Sequence, residues 1–209
     1  MTYQKLGRDA DALPLFKRAV LIAEATLGTR HVYTARAIGN LADAYRRLAK
    51  AEEALPLHER AMGIIEAERE PGRPDVAAGL GNLATVYVAL GRVNEALPLY
   101  ERAQELTEAA LGPSHPTTTI QLSNLAATYR QLGRPADALP LSERALQIVQ
   151  TVFGQDHDAT GAQLVQLAET YRALGRTDQA LRLYRQAMKV AYRIGKLSAA
   201  EADSDIDGP

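Results

Sequence analysis

The chain has no cysteine and no tryptophan, only two phenylalanines, and a formal net charge of -1 over 209 residues. Without cysteine there is no disulfide, no thiolate nucleophile and no sulfur ligand for a metal, and the composition fits a reducing compartment. A charge this close to zero leaves no global field to gather nucleic acid or an anionic membrane surface. No apolar run approaches the roughly 18 residues of a membrane span, and residues 1 to 20 lack the apolar centre of a signal peptide. These absences predict a cytoplasmic protein with neither nucleic acid nor membrane among its partners.

What the sequence has in abundance is repetition. "NLADAYRRLAKAEEALPLHERAM" starts at Asn40, "NLATVYVALGRVNEALPLYERAQ" at Asn82 and "NLAATYRQLGRPADALPLSERAL" at Asn124, a period of 42 residues. Tyrosines align as Tyr3, Tyr45, Tyr87, Tyr129 and Tyr171, and alanines as Ala12, Ala54, Ala96, Ala138 and Ala180. A third column holds Ala19, Ala61, Ala103, Ala145 and Ala187, and a fourth Pro14, Pro56, Pro98 and Pro140, with Arg182 in the fifth copy. A fixed period of this length marks a chain built from one supersecondary unit used repeatedly.

Within a unit, Leu80, Leu83, Ala84, Tyr87 and Leu90 recur at spacings of three and four, which predicts a helix over about 75 to 90. Gly91 ends it. A second helix, from about Asn94 to Leu111, carries the same spacing through Ala96, Leu97, Leu99, Tyr100, Ala103 and Leu106. Asn94, Asp137 and Asp178 are expected to cap this second helix in their respective copies, and the recurring proline falls in its first turns, where it forfeits about one backbone bond. Such a hairpin is too small to bury its own apolar face, so neighbouring hairpins must stack.

These columns resemble the tetratricopeptide repeats, whose signature places an aromatic, a leucine with a small residue, a tyrosine, then alanine, an aromatic and alanine at fixed offsets. The third copy supplies Leu80, Leu83, Ala84, Tyr87, Ala96, Tyr100 and Ala103. Ile38, Leu80, Leu122 and Leu164 stand where the signature has tryptophan, and Ala42, Ala84, Ala126 and Ala168 hold the small position. The period exceeds the family's usual 34, the extra residues falling in links such as "LGPSHPTTT" (111 to 119). This is similar to the kinesin light chain type of repeat. The resemblance implies an all-α, right-handed superhelical solenoid of helix-turn-helix repeats: a single array over 1–195, about four and a half repeats, followed by a polar acidic tail over 196–209.

Three departures carry expectations. The second copy has Arg69-Glu70-Pro71-Gly72-Arg73-Pro74 where others have Leu27-Gly28, Leu111-Gly112 or Phe153-Gly154, so that junction is expected to be the most mobile or most bent. The first second-type helix, about 9 to 26, has only Met1-Thr2-Tyr3 ahead of it, which predicts uncovered apolar surface at Leu13, Phe16, Val20 and Ile22 and a homodimer through this N-terminal helix. The tail is too polar to pack for long.

No catalytic constellation is legible, so the protein is expected not to be an enzyme and to need no cofactor. "GLGNLA" (79 to 84) has the glycine spacing of a dinucleotide turn but lies mid-helix, without the strand that turn requires. His31, His115 and His157 recur in the inter-repeat links, one repeat apart, too far to share a metal; capping or loop packing is expected instead, and no metal site. His58 stands alone. The pairs Glu59-Arg60, Glu101-Arg102 and Glu143-Arg144 recur as structural ion pairs or solvated faces would.

The column Asn40, Asn82, Asn124 and Gln166 faces the concave groove if the resemblance holds. Four carboxamides, each a donor and an acceptor, suit the backbone of an extended peptide; the competing role is to bridge neighbouring helices. One and two turns on, the same face carries Asp43, Arg46, Thr85, Arg130 and Arg172, the arginines suiting an acidic ligand. The expected function is a non-enzymatic protein-interaction scaffold that binds an acidic peptide segment in its groove. The alternative is a self-associating regulatory or sensor fragment of a larger signalling protein.

Overall fold

A computed structural model describes the backbone of residues 9–67 and 74–206, with side chains for 10–67 and 76–195. Among the described residues there are nine helices and no strand. Contacts divide the chain at Ala110/Leu111 into two compact units. The first holds α1 (Asp9–Leu27), α2 (Val32–Arg47), α3 (Ala51–Ala67), α4 (Pro74–Ala89) and α5 (Val93–Leu111). The second holds α6 (Pro116–Gln131), α7 (Pro135–Phe153), α8 (Asp158–Ala173) and α9 (Thr177–Ile206). The even-numbered helices are the first helix of each hairpin, with boundaries within two residues of those the periodicity predicts. Helix α9 continues to Ile206, so the backbone of most of the acidic C-terminal segment is helical.

In the first unit α1, α2 and α3 meet over Val20, Ala35, Ile38, Leu41, Ala61 and Ile64, and α3, α4 and α5 meet over Met62, Leu80, Leu83 and Ala103. In the second, Leu122, Ala145 and Ile148 close α6 on α7. Leu146, Val149, Leu164, Leu167, Ala187 and Val190 close α7 on α8 and α9. The small-residue column Ala42, Ala84, Ala126 and Ala168 is fully buried in every copy.

The expectation for α1 needs correcting. Val20 is buried, and Leu13 and Phe16 pack against the α2–α3 core, so only Ile22 of the expected set is exposed. The surface apolar residues of α1 are instead Leu15, Leu21, Ile22 and Leu27. The caps need correcting too. Helix α7 begins at Pro135 after Arg134, whose side chain makes no cap bond, and Asp137 lies inside the first turn, accepting from Arg134 Nε at 2.7 Å. Glu95 does the same for Arg92. Asn94 and Asp178 likewise fall within α5 and α9 rather than before them. A carboxylate in the first turn still favours the helix, through the positive end of its dipole.

The turn inside each hairpin is held by the backbone. Arg92 N donates to Tyr87 O at 2.8 Å, Arg134 N to Tyr129 O at 2.8 Å and Arg176 N to Tyr171 O at 2.9 Å. That six-residue closure requires a left-handed residue just before the donor, supplied by Gly91, Gly133 and Gly175 at φ 74, 70 and 73. In the second copy the position is Ala49, at φ 58, with Lys50 N still donating to Tyr45 O at 3.0 Å. An alanine there pays a steric penalty of about 1 kcal/mol that glycine avoids. Ala49→Gly is therefore expected to raise the unfolding free energy by about 1 kcal/mol in urea titration; a loss would show the penalty absent.

The links between hairpins are held by side chains. His31, His115 and His157 are the N-caps of α2, α6 and α8, each ring Nδ1 accepting from the backbone N of Tyr33, Thr117 or Ala159 at 3.1–3.2 Å. Three residues on, the buried Thr34, Thr118 and Thr160 hydroxyls donate to the carbonyls of Gly28, Gly112 and Gly154 at 2.7, 3.1 and 2.6 Å. The histidine column is thus a capping column. The junction at residues 69 to 74, expected to be mobile, lies almost wholly outside the described residues. Pro14, Pro56, Pro98 and Pro140 are each the sixth residue of their helix and each exposed, so each removes one early backbone bond on the wet side, where water can satisfy the freed carbonyl.

Members of two of the recurring acid and base pairs, Glu59-Arg60 and Glu143-Arg144, reach other helices and links. Tyr87 Oη donates to Glu59 at 3.1 Å and Tyr171 Oη to Glu143 at 3.0 Å, each tying a first helix to the second helix before it. Arg60 holds Glu24 at 2.6 Å, and Arg144 holds the Pro113 carbonyl at 2.7 Å.

Candidate functional site

The predicted site residues lie on the first helices of the hairpins, and each unit presents its own set. In the first unit Asp43 gathers its neighbours. Arg46 Nε donates to Asp43 Oδ1 at 3.4 Å along α2, and Asn82 Nδ2 reaches from α4 to Asp43 Oδ2 at 3.4 Å. Asn40, one turn earlier, is exposed. Thr85 donates to the Gly81 carbonyl at 2.8 Å and sits 2.8 Å from Tyr100 Oη; burial pushes the Tyr100 phenol above its usual range.

In the second unit Asn124 is half-buried, and Arg130 reaches across from α6 to α8. Its guanidinium donates to Gln166 Oε1 at 2.8 Å, to Thr170 Oγ1 at 3.0 Å and to the Gln166 carbonyl at 3.5 Å. Arg172 instead folds back on Glu169 at 3.0 Å and is 66% exposed. Tyr184 also donates to Glu169. The Tyr184 hydroxyl and Arg172 together hold the Glu169 carboxyl below the usual carboxylate range.

Arg46 and Arg130 share one register but point differently, for a local reason. The residue three before Arg46 is Asp43, which captures it; the residue three before Arg130 is Ala127, so the guanidinium extends to the next helix. Arg130 is half-buried, and burial lowers its pKa. Two of the four carboxamides, Asn82 and Gln166, bridge adjacent first helices, the competing role their chemistry allowed. Arg46 and Arg172 are already paired with acids, whereas Arg130 is hydrogen-bonded to neutral groups.

Sequence reasoning passed over His58. It is 3% exposed, with Nε2 3.6 Å from Asp43 Oδ1, too far for a hydrogen bond. That nitrogen has no hydrogen-bond partner among the described residues. Burial lowers the His58 pKa, and the Asp43 carboxylate opposes that only in part. The available signal was the column itself: Phe16, Tyr100, Ser142 and Tyr184 occupy the equivalent positions, and His58 is its single histidine.

A hairpin of two helices, closed by a left-handed glycine and stacked through a tyrosine and two alanine columns, defines a class of helical repeat protein. The chain belongs to the tetratricopeptide repeat family, whose model matches residues 1–67, 75–139 and 118–193. No curated protein matches the chain. Among solved structures it is similar to the kinesin light chain-type array of nearly identical TPR-like repeats from Podosopora anserina, at 27% identity and a TM-score of 0.78, covering 92% of this chain and 91% of that one. BtubC (BKLC) from P. vanneervenii shares the fold at 22% identity and a TM-score of 0.81, covering 92% of this chain and 77% of that one. MamA shares it at 13% identity and a TM-score of 0.62, covering 93% and 95%. The repeats are thus similar to those of a kinesin light chain-like array, and no helix among the described residues is long and apolar enough to cross a membrane.

Proposed function

We propose that the chain is a non-catalytic, cytoplasmic protein-interaction scaffold that holds an acidic peptide segment along the first-helix face of its repeats. The observation that carries this reading is Arg130, a half-buried guanidinium hydrogen-bonded to the neutral Gln166 and Thr170. A half-buried guanidinium whose hydrogen bonds go to neutral oxygens still lacks the bidentate fork-to-fork pairing that an incoming carboxylate can supply. Asn124, one and a half turns before it, supplies an amide for the ligand backbone. In the first unit Asn40, Asp43, Asn82 and Thr85 offer a mixed polar face, with Arg46 already neutralised. Arg172, paired with Glu169, contributes little selection.

The test is to pan a displayed library of random 12-residue peptides on the protein and measure the enriched sequences by fluorescence anisotropy. Acid-rich peptides are expected, with binding at least tenfold weaker in Asn124→Ala/Arg130→Gln at unchanged helicity. No enrichment, or equal affinity for the double variant, overturns the reading.

The second reading, self-association through α1, is favoured by Leu15, Leu21 and Ile22, each more than half exposed. Because Phe16 packs into the core, the diagnostic change is Ile22→Glu, which should leave folding intact and abolish any dimer seen by light scattering. A strict monomer at high micromolar protein removes this reading.

A further inference from the structure

The second helices α1, α3 and α7 are each covered by the first helix that follows. In the column of Met188, Val20 shares a core with Ala35 and Ile38 of α2, Met62 with Leu80 and Leu83 of α4, and Leu146 with Leu164 and Leu167 of α8; all three are buried. The remaining member is Gln104. On α9 the same position is bare. Met188 is 71% exposed, with Leu181 and Tyr192 on the same helical face at 45 and 65%. On α8, Val165 stands at the position from which Ser123 of α6 reaches Gln163 of the next first helix at 3.0 Å, yet it is 37% exposed. Helices α5 and α7 end at Leu111 and Phe153, whereas α9 passes the equivalent Gly195 and runs on to Ile206. Through Ile206, then, the backbone does not turn back over this face.

Between α8 and α9 this leaves an open groove of about 550 Å³. Ala187 and Val190 are its buried floor, Val165, Met188 and Ala191 flank them, and Asp158, the first residue of α8, lines one end. Beside the apolar row, Arg182, Arg185 and Lys189 form a second row at spacings of three and four. All three are exposed, and none is in an ion pair among the described residues. Arg193, next on that side, already holds Asp156 at 2.6 Å. Like charges at helical spacing repel one another, and an acidic partner relieves that repulsion.

We propose that this groove docks an amphipathic helix of a partner protein, its apolar row flanked by glutamate or aspartate. The equivalent space beside α3 and α7 is filled by α4 and α8, so the shape on offer is that of a helix laid against two others. The apolar row of the partner covers Met188 and Val165, removing their exposed surface from water. Acids along one edge meet Arg182, Arg185 and Lys189 and set the direction in which the helix lies. A flat anionic bilayer would meet the basic row but leave the floor of the groove unfilled. None of the residues of the proposed peptide face lines this groove, so the contact stands or falls apart from the scaffold reading.

The probe is a synthetic amphipathic helix of 16 residues, the length of α8, with leucines along one face and glutamates on both flanks; its control has lysine for each glutamate. Fluorescence anisotropy with the full 209-residue chain is expected to show the glutamate helix bound at least tenfold more tightly than the lysine helix. Met188→Glu should weaken that binding at least tenfold, and Arg185→Glu/Lys189→Glu should erase the preference for glutamate. Both variants should keep the wild-type unfolding midpoint, because the side chains they alter are exposed. Asn124→Ala/Arg130→Gln should bind the glutamate helix as wild type does, which separates this groove from the peptide face. Equal affinity for the two helices, undiminished binding in Met188→Glu, or loss of binding in Asn124→Ala/Arg130→Gln would overturn the proposal. So would Met188-dependent binding to phosphatidylserine vesicles, or a Met188-dependent dimer in light scattering, with no binding of the glutamate helix, since either assigns the apolar row to another occupant.

Discussion

Leu122→Ala is expected to lower the unfolding free energy by about 3 kcal/mol, the largest single loss anticipated for this chain. Leu122 is fully buried on α6 against Ala145 and Ile148 of α7, with Leu141 at the edge. Truncating such a leucine costs the transfer free energy of its lost carbons plus the cavity they leave, together about 2–5 kcal/mol. The alanine facing it cannot swing in to fill the void, which keeps the cavity term. Leu181, exposed on α9, is the control, and Leu181→Ala should stay within about 0.5 kcal/mol. Urea titrations of both variants check this; similar midpoints would show that Leu122 is not a core anchor.

The opposite change at Ala126 should cost nearly as much. Ala126→Leu adds apolar volume where no surface is exposed, so α6 and its neighbours must separate or adopt strained rotamers, at about 2–3 kcal/mol. Ala136→Leu, at an exposed position of α7, should be close to neutral. If Ala126→Leu melts with wild type, the alanine column reflects something other than close helix packing.

The alanine, tyrosine and leucine columns made the hairpin legible because each records a constraint inside one repeat: a close approach, a turn, a buried face. The spacing of three and four places both helices within two residues of where they lie. The cap positions were misread because Asn94, Asp137 and Asp178 look like caps, while backbone closure on Tyr87, Tyr129 and Tyr171 hands the cap position to the following arginine. The candidate site was harder to read. Whether Arg46 turns back or Arg130 reaches forward depends on whether Asp43 or Ala127 stands three residues before, and on Gln166 and Thr170 some 40 residues away. Helical periodicity carries no information about such a partner. His58 was visible only as the single histidine of its column, and its burial and unsatisfied nitrogen emerge only in the folded repeat.

The locks in the links between hairpins span very short stretches of chain. The histidine cap closes over two residues and the threonine-to-glycine bond over six, while the tyrosine-to-glutamate tie needs only the neighbouring hairpin. A 42-residue segment that spans one of the three histidine-capped links therefore carries the histidine and threonine locks with it. Point changes act differently: the histidine in the second copy alters one repeat alone. Inheritance in such an array separates into two channels, with length varied by recombination and recognition varied by substitution.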